Sequence, residues 1–128
     1  MMYKIKETLF GRSRTVSRNH ASLAAILFIG IAAIFELAPN LKFQQWFAYS
    51  LFGVMGFTAL INAYRNSGIV ISIILAGSIP LGAFTLAAVT KQPPTDVLLN
   101  EFLRALFLGV IIALPAHLVG EGLGYISD

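Results

Sequence analysis

The apolar residues of the chain are gathered into four long blocks that short polar turns separate. The blocks cover about residues 21–38, 43–64, 68–90 and 96–120. A helix of roughly 20 apolar residues crosses the hydrocarbon core of a bilayer, and each block is close to that length. The pattern therefore predicts an all-α polytopic membrane protein, whose four transmembrane helices form an up-down bundle in a single domain over residues 1–128.

Turn and capping residues mark several ends of these blocks. Asn66-Ser67-Gly68 predicts a tight reversal between the second and third helices. Thr95 is a typical N-cap for the fourth helix. Three glycines near the C-terminus are predicted to end that helix: Gly120, Gly122 and Gly124. The long blocks with short turns leave no room for a separate soluble domain within these residues.

Prolines and rows of small residues predict how the helices bend and pack. Pro80 and Pro115 each lie inside an apolar block, where a proline removes one backbone hydrogen bond, so both predict kinks. Small residues at three- or four-residue intervals let a neighbouring helix approach closely. Two such helix-packing rows occur: Gly53, Gly56 and Ala59 in the second block, and Ala105, Gly109 and Ala113 in the fourth.

Composition supports a membrane protein and removes several other classes. Hydrophobic residues make up 57% of the chain and charged residues only 12%, whereas soluble domains carry about 25% charged residues. The absence of cysteine excludes disulfides and thiol chemistry. The net charge of +3 does not indicate nucleic-acid binding, because most of the positive charge precedes the first apolar block.

The first 19 residues form a basic lead-in that sets the predicted orientation. Residues 2–9 have the spacing of a short interfacial helix, Gly11 breaks it, and the polar stretch RSRTVSRN after it is predicted to form turns. The first apolar block is too long for a signal peptide core and is expected to stay uncleaved. Cytoplasmic segments of membrane proteins are enriched in lysine and arginine, so these basic residues predict a multi-pass protein of the cell membrane with both termini cytoplasmic. The basic residues of the lead-in are Lys4, Lys6, Arg12, Arg14 and Arg18.

Three charged residues are predicted to lie on the outer side of the bundle. Glu36 ends the first block, while Glu101 and Arg104 stand three residues apart near the start of the fourth. A charge at this depth usually faces the bundle and pairs, so the hypothesis is an intramembrane polar cluster of Glu36, Glu101 and Arg104. The alternative is that Arg104 extends to the headgroups and pairs with Glu101 alone.

A second polar group is predicted on the inner side. His117 and Glu121 are four residues apart on one helix face, and His20 opens the first block from the same side. Four other polar residues are predicted on that side: Asn62, Tyr64, Arg65 and Ser72. A metal site, a proton-relay pair or a haem held by both histidines are possible uses of this group. The simpler interpretation is that His20 is an interface residue and His117 a helix-end residue with satisfied hydrogen bonds. We therefore expect no metal and no cofactor.

The sequence contains no motif for catalysis. It has no nucleotide-binding glycine loop, no HExxH and no Ser/His/Asp set, so we expect no enzyme and no catalytic residue. The outline of four short helices is similar to that of small multidrug-resistance transporters and of dual-topology fluoride channels. The likeness is confined to the outline. Glu36 ends its helix where the first family has a deeply placed carboxylate, and GSIPLGAFT lacks the filter pattern of the second.

Two functional hypotheses follow from these features. The first is a non-catalytic small subunit or assembly partner of a larger membrane complex, because the small-residue rows exceed what one bundle needs. The second is a homo-oligomeric channel or transporter that uses the Glu36, Glu101 and Arg104 cluster, because proline-broken helices recur at transport sites. The expected partners are membrane lipids and either other membrane protein chains or copies of the same chain, without nucleic acid.

Overall fold

The computed structural model describes the backbone of residues 1–89 and 94–127, and the side chains of that part except residues 42, 86–89 and 94–97. This part is helical and contains no β-strand, which confirms the predicted all-α fold. The elements are α1 (Met2–Phe10), α2 (Arg14–Leu37), a 3-10 helix (Pro39–Phe43), α3 (Gln45–Asn66), α4 (Ile69–Val89) and α5 (Pro94–Ser127).

Two helices extend beyond the predicted blocks. The polar stretch after Gly11, predicted to form turns, is instead the start of α2: the Ser13 hydroxyl caps it by accepting from the Val16 N–H at 3.3 Å. α5 continues through its three glycines to Ser127, so the prediction that they end the helix is wrong. α5 begins at Pro94, so Thr95 lies within the first turn and the prediction that it is the N-cap is wrong. The end of the third block at residue 90 lies outside the described residues.

α4 is the helix around which the others are arranged. It is apolar on every side, as expected of a helix without a solvent face, and it packs against α2, α3 and α5. α2 and α3, although adjacent in sequence, touch only slightly in the described part. The core between the long helices is apolar and consists of Ile31, Met55, Ala59, Ala76, Ile79 and Ala113.

Close backbone contacts at glycines set the heights of the helices relative to one another. A Cβ built on Gly109 of α5 would lie 2.8 Å from the Cα of Gly77 in α4. A Cβ on Gly82 of α4 would lie 2.5 Å from the carbonyl oxygen of Phe28 in α2. Such approaches are possible only without a side chain, so these glycines fix which turns of α2, α4 and α5 lie side by side.

The two predicted small-residue rows occupy different surroundings. Ala105, Gly109 and Ala113 are all buried along α5, where that helix meets α4. In α3, Ala59 is buried and Gly56 has one neighbour, the Ile112 side chain at 3.9 Å from a built Cβ. Gly53 is exposed, with nothing within 4 Å of a built Cβ. Pro80 and Pro115 lie inside continuous helices, and the kinks predicted there remain predictions.

The outer surface of the bundle is apolar, which supports a membrane environment. Within the described residues, three helices are long and apolar enough to cross a bilayer: α2, α3 and α5. Side chains such as Ile26, Phe57 and Phe107 point outward and are each more than 60% exposed. A surface of this kind is stable against lipid tails and would aggregate in water. The protein is thus a helical membrane bundle, in which α4 packs against α2, α3 and α5 and exposes a strip, at Ile74, between α2 and α5.

Candidate functional site

A chain of hydrogen bonds links all four long helices at one end of the bundle. His20 Nδ1 of α2 lies 2.7 Å from Asn62 Oδ1 of α3, and Asn62 Nδ2 donates to Ser72 Oγ of α4 at 2.9 Å. Ser72 Oγ lies 2.8 Å from His117 Nδ1 of α5, and His117 Nε2 lies 3.5 Å from a carboxylate oxygen of Glu121. These five residues form the polar chain.

The atoms involved determine the direction of most of these bonds. Asn62 Oδ1 can only accept, so His20 must donate from Nδ1. Ser72 accepts from Asn62 and has one proton to give, either to His117 Nδ1 or to the Ala59 carbonyl at 3.2 Å. The bond to His117 is the shorter one and leaves Nε2–H of that ring to face the Glu121 carboxylate. Each hydrogen bond from His20 to His117 then has one donor and one acceptor.

Burial makes this arrangement important for stability. Asn62 and Ser72 are completely buried, and His117 is almost so. Asn62 also donates to the carbonyl of Gly68 at 2.8 Å, in the turn between α3 and α4. Every buried side-chain nitrogen and oxygen of the described residues has a partner. A buried polar group left without a partner costs about 1–3 kcal/mol, so the polar chain fixes both the rotation and the height of each helix.

The polar chain runs across the bundle rather than along it. His20, Asn62 and Ser72 lie within about two turns of the same end of α2, α3 and α4. We call this the basic end, because it also carries the basic residues of the lead-in. The apolar core lies directly beyond it. The Asn62 nitrogen can donate protons but cannot accept one, so proton hopping stops there, and the chain is suited to holding helices together.

Asn66 ties the lead-in to the same end. Its side-chain oxygen accepts from the Ser13 N–H at 2.8 Å, its nitrogen donates to Ser17 Oγ at 2.7 Å, and its carbonyl accepts from the Arg12 N–H at 2.8 Å. A Cβ on Gly68 would lie 2.7 Å from the carbonyl carbon of Phe10. α1 is therefore held against the turn between α3 and α4.

At the opposite end, the structure brings together two of the three predicted charged residues. Arg104 lies 3.4 Å from Glu101, with 69% of the arginine side chain exposed and only 11% of the glutamate. Glu36 is exposed and makes no ion pair with Arg104 within the described part of the chain. Gly109 of α5 lies beside Gly77 of α4, so Arg104 is level with Gly82, and Gly82 in turn lies beside Phe28 of α2. Glu36 follows Phe28 by eight residues and is therefore about 12 Å nearer the end of the bundle than Arg104, at 1.5 Å per residue.

The predicted inner group is linked, and the connecting residues are Asn62 and Ser72, which the sequence places on the same side. His20 and His117 do not meet; Asn62 and Ser72 connect them. That Asn62 and Asn66 hold several helices together was not predicted from the sequence. The signal for that role was a pair of asparagines four residues apart in an apolar helix. The chain matches no protein-family model, and it shows no significant similarity to any curated protein or solved structure.

Proposed function

We propose that the protein is a non-catalytic subunit of a larger membrane assembly and that it binds another membrane protein chain through the surface around Arg104. Arg104 supports this proposal. Its side chain points away from its own bundle, and its one ion pair among the described residues is the 3.4 Å contact with Glu101. A guanidinium inside a membrane usually has a partner. With this geometry, a second partner has to come from outside the bundle.

The depth of Arg104 strengthens this inference. Gly109 lies beside Gly77, so Arg104, five residues nearer the opposite end, is level with Gly82. The last residue of α4 is Val89, about 10 Å farther along the bundle axis. A long side chain can cover part of that distance toward the headgroups. A carboxylate or carbonyl on a partner helix would satisfy the remaining donors at lower cost.

The interior of the bundle favours a structural role over a conduit. Apolar side chains fill the centre, and the polar chain closes across the basic end rather than continuing through the core. Among the described residues of that stretch Ser78 is buried and polar, but its hydroxyl donates to the Leu75 carbonyl of its own helix at 2.7 Å, so an ion crossing a single bundle would find no continuous polar path. For the location we propose the cell membrane with the basic end, and thus both termini, in the cytoplasm, in keeping with the positive-inside rule.

The test is the intact mass of the protein after extraction from its native membrane in a mild detergent. We expect a complex that contains other chains, and we expect Arg104→Ala to weaken it about tenfold or more, as for other paired charges removed from an interface. The matched control is Arg18→Ala, an exposed arginine at the basic end. Equal loss with both variants, or a mass of one chain alone, would refute the proposal.

A homo-oligomeric channel or transporter is the alternative proposal. The exposure of Arg104 beside Glu101 favours it, since the same two residues on another copy could complete reciprocal pairs around an axis. In that case the extracted mass is a whole multiple of one chain. Arg104→Ala would then abolish flux through an oligomer that still forms, whereas a subunit would show no flux by itself with either sequence.

A further inference from the structure

A polar cavity of about 230 Å³ lies at the basic end, between the last turns of α3 and α5 and the segment after α1. Arg12, Arg65, Glu121, Tyr64 and Tyr125 line it. Its walls are mainly polar, unlike the apolar groove of about 400 Å³ along α2, α4 and α5. The polar chain ends at this cavity, because Glu121 belongs to both.

The backbone around the cavity is held in place by specific bonds. The Arg12 N–H donates to the Asn66 carbonyl at 2.8 Å, and Arg65 precedes Asn66 in the last turn of α3. On the other wall, Glu121 lies 3.5 Å from the buried His117. Within the part of the chain that the structure describes, neither Arg12 nor Arg65 makes an ion pair. Two arginines thus line the cavity without an ion pair to a described residue.

The cavity contains charges of both signs. Two guanidinium groups suit a phosphate, to which arginine can donate in a bidentate manner. The Glu121 carboxylate would repel a second negative group and would accept from an ammonium group. Tyr64 and Tyr125 add aromatic faces, which attract cations. A ligand with a phosphate and an amine a few bonds apart satisfies both sides of the cavity.

The height of the cavity matches the headgroup layer of a bilayer. α4 has 21 residues and is about 31 Å long, close to the hydrocarbon thickness of about 30 Å. The first residue of α4, Ile69, therefore marks the edge of the hydrocarbon layer at the basic end. Because α4 and α5 are antiparallel and Gly77 lies beside Gly109, Ile69 is level with His117. Glu121 and Tyr125 are then about 6 and 12 Å beyond the hydrocarbon edge, where phosphates and amines of lipids lie.

We propose that this cavity binds the headgroup of an aminophospholipid, with its phosphate between Arg12 and Arg65 and its ammonium group at Glu121. The site goes beyond the proposed role as a subunit and does not depend on it. It would hold one lipid of the leaflet at the basic end against α3 and α5.

The proposal is tested with the purified full chain in detergent, by native mass spectrometry during titration with phosphatidylethanolamine, phosphatidylglycerol or phosphatidylcholine of identical acyl chains. We expect phosphatidylethanolamine to bind about tenfold more tightly than the other two, the factor expected of one charge-assisted hydrogen bond. Arg65→Gln and Arg12→Gln should each weaken it about tenfold. Glu121→Gln should remove the preference over phosphatidylcholine.

The control is Lys4→Gln, which removes a positive charge from α1 outside the cavity and should leave the affinity unchanged. Circular dichroism melting shows whether each variant is folded, and Arg12, with an exposed side chain, gives an independent result if Arg65→Gln does not fold. Phosphatidylglycerol binding as tightly as phosphatidylethanolamine would refute the mixed-charge site. Displacement of the lipid by equimolar soluble phosphoethanolamine would show a site for the free ligand and overturn the lipid proposal.

Discussion

Two neighbouring glycines of α5 give a matched pair for measuring how closely α5 approaches α3. A Cβ on Gly120 would lie 2.7 Å from the Cβ of Ala63 and would collide with the carbonyl oxygen of Leu60. A Cβ on Gly122, two residues later in the same helix, would meet nothing within 4 Å. Both positions are helical, so replacement by alanine changes the intrinsic helix propensity equally. The two variants differ only in the steric cost of the close approach.

The expected magnitude follows from this difference. To restore ordinary van der Waals contact, α5 and α3 must separate by about 1 Å at Gly120, and overpacking of this kind costs about 1–3 kcal/mol. Alanine gains about 1 kcal/mol over glycine inside a helix. Gly122→Ala should therefore stabilise the protein by up to about 1 kcal/mol. Gly120→Ala should be about 1–3 kcal/mol less stable than Gly122→Ala.

The assay is reversible unfolding of the purified protein in mixed detergent with increasing SDS, followed by circular dichroism. The free energy of unfolding of each variant is compared with that of the original chain. Equal stability of the two variants, or a Gly120→Ala variant that is the more stable of the two, would show that α5 does not approach the α3 backbone as described. The packing of α5 on α3 would then have to be revised.

Three further stability predictions use the same assay. Asn62→Ala should destabilise the protein by about 2–4 kcal/mol, because it leaves buried polar groups without partners. The control Asn19→Ala, at an exposed position, should change the stability little. Similar values for the two variants would contradict the role of Asn62 in connecting the helices. Gly82→Ala should destabilise, since its Cβ would lie 2.5 Å from a carbonyl oxygen of α2, while Gly30→Ala, with open space around it, should not. Ser67→Gly should stabilise the protein by up to about 1 kcal/mol, because Ser67 has a left-handed backbone with φ of 58°, which glycine adopts at lower cost. A loss of stability would show that the hydrogen bond from the Ser67 hydroxyl to the Ala63 carbonyl, at 3.3 Å, contributes more than the backbone strain costs.

Much of the architecture could be predicted because it depends on the length and order of the apolar segments along the chain. Block length and turn composition determine how many helices there are and which ends lie together. This placed His20, His117 and Glu121 at one end. Helix limits were harder to predict. The glycines of α5 stay helical because Gly120 and Gly124 lie against backbone carbonyls of α3, and such close packing compensates for the low helix propensity of glycine.

The hydrogen bonds of the polar chain depend on how each helix is rotated about its axis and how far it is shifted along the bundle. Neither quantity can be read from the local sequence. Asn62 connects three helices because the rotation of α3 places its side chain within hydrogen-bond distance of both α2 and α4. Glu36 and Arg104 share an end of the bundle, but the contact of Gly82 with Phe28 sets α2 too far along the axis for them to meet. Both outcomes follow from packing between helices distant in sequence.

The order of the helices along the chain differs from their order in space, and this has a consequence for insertion into the membrane. α2 is made before α3, α4 and α5, yet its main neighbour is α4, and it barely touches α3 in the described part. During synthesis α2 must therefore remain surrounded by lipid, or be held by the insertion machinery, until α4 arrives. The same holds for the lead-in, whose Ser13 and Ser17 bond to Asn66 about 50 residues later. We therefore expect α3, α4 and α5 to assemble with one another as they emerge, and α2 to pack onto them afterwards.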